Sequence, residues 1–82
     1  MTIQAQEAAR RAAEYYGEIS GDVAYRQEIT VEEVEKDETH WLITLGFAQR
    51  SYSLNSPRDK DYKIFKVNNE TGEIESMKIR TI

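Results

Sequence analysis

Bases and aromatics crowd one stretch of this chain, where Arg50, Tyr52, Arg58, Lys60, Tyr62 and Lys63 all fall between positions 50 and 63. Tyr and Arg bury much area while keeping a polar tip, which makes them effective anchors at protein interfaces. These six residues are the candidate partner-binding set. A second candidate surface is the acidic run of Glu32, Glu33, Glu35, Asp37 and Glu38. The formal net charge of −4 works against attraction to a polyphosphate. The expected partner is therefore another protein, with no nucleic acid and no membrane.

Catalytic chemistry finds little to work with. His40 is the only histidine and there is no cysteine, so neither a convergent set of nitrogen and sulfur metal ligands nor a thiol nucleophile can be assembled. Beside Trp41 and a polar turn, His40 reads as an exposed turn residue. Acid–base work on paired carboxylates needs one of them desolvated, and the run from Glu32 to Glu38 has no apolar cover; it reads as a solvated strand edge. A calcium loop would need a glycine at its bend, which EEVEKDE lacks. Ser51, Ser53 and Ser56 have neither a glycine elbow nor a paired histidine. Gly17, Gly21, Gly46 and Gly72 are too scattered to cradle phosphates, and the sequon-like Asn69-Glu70-Thr71 serves a turn. No catalytic residue, cofactor or metal is assigned, and the chain is expected not to be an enzyme.

The elements that would position these residues follow from periodicity. Ala5, Ala8, Ala9, Ala12 and Tyr16 recur at helical spacing, with Gln6, Glu7, Arg10, Arg11 and Glu14 on the other side. An amphipathic helix from Ile3 to Tyr16 is predicted, capped by Thr2 and stopped by Gly17. Its alanine face lets the backbone come close to a sheet. Glu18 to Tyr25 reads as a loop with at most one short strand.

Ile29 and Val31 alternate with polar residues before Glu32 and Glu33 break the pattern ahead of Val34, which predicts a strand with a bulge. Asp37, Glu38 and Thr39 form a turn. Trp41, Ile43, Leu45 and Phe47 then alternate with Leu42, Thr44, Gly46 and Ala48, the clearest strand in the chain, with the first set facing the core. Gln49 to Asp61 reads as a long surface loop. Tyr62 to Val67 and Ile74 to Ile79 read as two more strands around a turn from Asn68 to Gly72. The predicted fold class is α+β: one N-terminal helix packed on a three- to four-stranded antiparallel meander.

The closing segment YKIFKVNNETGEIESMKI, a strand, an Asn-rich turn ending in Thr71-Gly72-Glu73 and a final strand, resembles the ending of PepSY-like domains. The helix followed by a curved sheet is similar to the cystatin-like arrangement, and the stretch from Leu54 to Lys60 departs from that pattern as an insertion. The resemblance implies a non-catalytic module that inhibits or regulates peptidases or acts as a sensor. A second resemblance, through the same strand-turn-strand ending, is to small immunity proteins of bacterial toxin systems. Neither carries a functional residue over by position.

With 82 residues the chain is read as a single domain spanning 1–82. Residues 1–38 hold ten acids and four bases, whereas residues 39–82 hold five acids and seven bases, so the halves differ in sign, −6 against +2. Such a split marks two faces of unlike charge. No apolar run reaches the roughly 20 residues of a membrane span, and a cytoplasmic location is expected. The alternative to a foreign partner is a homodimer formed edge to edge through unpaired strands.

Overall fold

The computed structural model describes residues 2–21, 27–49 and 60–80. They form helix α1 (Ala5–Ser20) and strands β1 (Gln27–Lys36), β2 (His40–Gln49), β3 (Lys60–Asn68) and β4 (Ile74–Arg80). All neighbours are antiparallel, and the sheet order is the chain order, β1-β2-β3-β4. The fold is α+β, a single helix packed on a four-stranded meander. Both outer strands, β1 and β4, are edges.

Strand alternation closes one face of this sheet. Ile43, Leu45 and Phe47 of β2 and Phe65 and Val67 of β3 are all buried, and they meet Ala8, Ala12 and Tyr16 of α1 in one core. Alanine at the contact lets the helix approach closely, so the large side chains of the sheet supply most of the apolar volume. Tyr16 packs on Phe47 with ring centroids 4.2 Å apart, and Tyr15 meets Phe65 edge-on at 6.4 Å. The Tyr16 hydroxyl donates to Oε1 of Gln27, itself buried, so the helix brings no unpaired polar tip into the core. Trp41 lies at the margin of the core rather than inside it. Its indole N–H donates to the Ile3 carbonyl at 3.1 Å, and the Lys36 ammonium sits 5.1 Å from its ring centre.

Two helix boundaries differ from the sequence expectation. Gly17 does not stop the helix. It stays within α1, its carbonyl accepts the Gly21 N–H at 3.0 Å, and Gly21, at φ 57°, makes the exit. A glycine inside a helix costs only about 1 kcal/mol relative to alanine, so termination goes to the glycine that takes positive φ. At the other end the cap is Gln4, with no side-chain cap bond, rather than Thr2. The Ile3 N–H donates to the Asn69 carbonyl at 2.7 Å and its carbonyl receives the Trp41 indole, which fixes the chain before the first turn. The bulge in β1 is present, as a register shift between Val31 and Glu33.

Candidate functional site

No described element packs on the face of the sheet opposite α1. Register assigns its rows. Thr30, Gly46, Tyr62 and Arg80 form one, Glu33, Thr44, Ile64 and Lys78 the next, and Glu35, Leu42, Lys66 and Ser76 a third. Across the strands the chemistry changes in order. β1 contributes the carboxylates Glu28, Glu33 and Glu35, β2 the small residues Thr44, Gly46 and Ala48, β3 the bulky Tyr62 and Ile64 with Lys66, and β4 the bases Lys78 and Arg80. The sign of charge therefore reverses across three strand spacings, or roughly 14 Å.

Arg80 ties this face together. Its Nη1 donates to Thr44 Oγ1 at 3.1 Å and to Glu33 Oε2 at 2.9 Å, so one guanidinium reaches from β4 over β3 to β2 and β1. Glu33 and Glu35 then act as a pair. The hydrogen bond shared with Glu35 and, after it, the Arg80 guanidinium hold the Glu33 carboxyl below the ordinary carboxylate range, whereas hydrogen bonding to and repulsion from Glu33 push Glu35 above it. Among the described residues Glu35 meets no cation within ion-pair distance, and Lys66 and Lys78 meet no carboxylate there.

One end of the same face is closed by a polar knot. His40 Nε2 lies 2.8 Å from Glu75 Oε1, and Asn68 Nδ2 donates to Glu75 Oε2 at 3.0 Å. Asp37 accepts the backbone N–H groups of Thr39 and His40 at 2.8 and 2.7 Å. Backbone donation from Thr39 and then His40 lowers the Asp37 carboxyl, and hydrogen bonds from Asn68 and then His40 lower that of Glu75. His40 is thus no freely exposed turn residue, because its side chain is only 12 % exposed and bridges the β1–β2 turn to β4. Below it, Asn69 is buried. Its side chain donates to the Glu38 carbonyl at 3.3 Å and its N–H to the Thr39 carbonyl at 3.0 Å, joining both hairpin turns to the N-terminal segment.

The sequence-derived binding set does not stay together. Lys60 and Tyr62 hold register positions opposite Ala48 and Gly46, in β3. Lys63 lies on the helix side, its ammonium 4.9 Å from the centre of the Phe47 ring and 5.6 Å from that of Tyr16. Adjacent residues of a strand point to opposite faces, so Tyr62 and Lys63 cannot share a surface. Arg50, Tyr52 and Arg58 lie outside the described residues, as does most of the Gln49 to Asp61 stretch read as loop; its ends, Gln49 and Lys60 with Asp61, belong to β2 and β3. Lys66, Lys78, Arg80 and Thr44 were not singled out from sequence. The signal was there in the alternation of Tyr62, Ile64 and Lys66 with Lys63, Phe65 and Val67, but only pairing shows which set meets the helix.

A second concavity is a shallow groove of about 210 Å³ between α1 and the β3–β4 turn, lined by Arg11, Glu14, Tyr15, Glu18, Gly72 and Ile74. Its one fixed cation, Arg11, is already paired with Glu7 at 2.7 Å. No group of acids and histidines suited to a metal ion occurs among the described residues. None of their helices is long and apolar enough to cross a membrane. The fold and site define an α+β module with one face of its sheet covered by a helix and the other, among the described residues, without a packed element. No family model, curated protein or solved structure matches the chain.

Proposed function

We propose that this chain is a non-catalytic protein-binding module that works through the open face of its sheet. One observation carries the proposal: β1 delivers carboxylates, β3 bulky residues with one lysine, and β4 bases, on a face that no described element covers. Side chains held by hydrogen-bonded strands lose little further freedom on contact, which favours binding over catalysis by mobile groups. Tyr62, from the original candidate set, stands in the middle of this face beside Ile64. The acidic run of β1 forms its rim rather than a separate surface, since Glu33 and Glu35 belong to the same rows as Lys78 and Lys66.

A regulatory use of the peptidase-inhibitor kind, as PepSY-like resemblance implies, and a cytoplasmic location are parts of the same proposal. Its support is the succession of an Ala-faced helix and an antiparallel meander that ends in the Asn68 to Glu73 turn. The test is site-specific photo-crosslinking in cells that make the protein, with the crosslinker at Lys78 on the open face or at Glu14 on the outer face of α1. Protein adducts formed at position 78 and missing at position 14 would support the proposal. Adducts at neither position, or equally at both, would end it.

A further inference from the structure

We infer that the occupant of the open face is a second copy of this chain, stacked face to face about a two-fold axis parallel to the strands. The inference rests on the reading of that face as a protein-binding surface and goes further by naming what binds.

A two-fold axis of this kind exchanges the two sides of the sheet. β1 of one copy then lies over β4 of the other, and β2 over β3. Two features of the face match themselves under this operation. The first is charge. Glu33 of one copy comes to the level of Lys78 in its partner, and Glu35 to that of Ser76, one row from Lys78 and one strand from Lys66. Glu35, Lys66 and Lys78 are among the charged groups of this face that make no ion pair with the described residues. The second is size. The small column of β2 comes to the level of the large column of β3, Gly46 opposite Tyr62, and Thr44, with the Arg80 guanidinium of its own copy over it, opposite Ile64. Small against large is how facing sheets interdigitate at a spacing of about 10 Å.

A two-fold edge-to-edge dimer through β1 does not have this match. Pairing β1 with a second β1 sets Glu28, Glu33 and Glu35 against the same carboxylates, and like charges directly opposite oppose strand pairing. Four strands, about 4.8 Å apart and eight residues long, offer a face of roughly 500 Å² per copy. Twice that is about 1,000 Å², at the lower bound for a specific interface. The expected dimer is therefore weak and sensitive to salt.

The experiment is sedimentation velocity on the full chain across a concentration series, with Glu35→Lys and Lys78→Glu as variants and thermal melts to show that each is folded. Each variant alone sets like charges across the axis and is expected to dissociate at least tenfold more readily than the parent protein. In an equimolar mixture position 35 of each copy lies near the opposite charge at position 78 of the other, while one Glu33 still faces the acid introduced at position 78, so the mixture should associate more strongly than either variant alone and more weakly than the parent. A parent protein that dimerises with neither variant weakened would overturn the inference in favour of an edge contact. A strictly monomeric parent would overturn it too. If position 78 still gave crosslinked adducts with a different chain, the protein-binding reading would survive that loss; if it gave none, both would fall.

Discussion

The two faces of one sheet share the same four strands and differ in almost everything else. On the helix side, Ile43, Leu45, Phe47, Phe65 and Val67 are buried against alanines, and the one charged group drawn in, Lys63, lies over aromatic rings. On the other side, Thr44 is buried yet polar, and it is covered by an arginine that arrives from two strands away. The first face makes the fold and the second is free to differ without unmaking it. A small domain draws its margin of stability from few buried side chains. Substitutions on the two faces should therefore separate into effects on folding and effects on association.

The largest effect is expected from truncating the core. Phe65→Ala should cost about 3–5 kcal/mol in urea unfolding, enough to leave much of a domain this small unfolded. A loss under about 1 kcal/mol would mean that the helix does not close this face. Next comes the knot joining the turns. Asn69→Ala removes the bond to the Glu38 carbonyl and should cost about 1–3 kcal/mol, read in the same assay.

Gly72→Ala addresses the turn from another direction. Gly72 has φ 78°, and a Cβ there would meet the Arg11 guanidinium at 2.6 Å. The positive φ alone should cost about 1–2 kcal/mol. Adding Arg11→Ala should relieve the contact but not the backbone strain, so the double variant should remain less stable than Arg11→Ala alone.

The smallest effects on stability belong to the open face and its carboxylates, and their signs are fixed by pKa direction. Asp37 and Glu75 ionise more readily folded than unfolded. Their contribution is present above the unfolded carboxyl pKa and is lost as pH falls through the lower folded value. Melting temperature should therefore drop on acidification through the carboxylate range, and Asp37→Asn should flatten that slope. Glu35 has the opposite sign, since its raised pKa makes its ionised form at neutral pH a liability. Glu35→Gln should raise the melting temperature slightly at pH 7, a gain that disappears once the pH is low enough to protonate the parent carboxyl. A lowered melting temperature at pH 7 would show that Glu35 is stabilised by its surroundings and would blur the contrast between the faces.

Periodicity was enough for the elements. An alanine stripe at helical spacing, a strict alternation from Trp41 to Ala48 and a break in it at Glu32 are local signals, and helix, core strand and bulge all follow from them. The helix end was less legible, because either Gly17 or Gly21 could take a positive φ, and the helix runs on to the second. The candidate site was only partly written in the chain. Clustering along the sequence brought Tyr62 and Lys63 into one group, and the pleat of a strand separates them to opposite faces.

What the sequence determined by itself was therefore which residues can be buried, since burial of apolar side chains follows a period that neighbours along the chain reveal. Which charges meet was decided by tertiary structure alone. Arg80 reaches Glu33 across 47 positions only because strands far apart in sequence lie in register, and no local pattern encodes register between them.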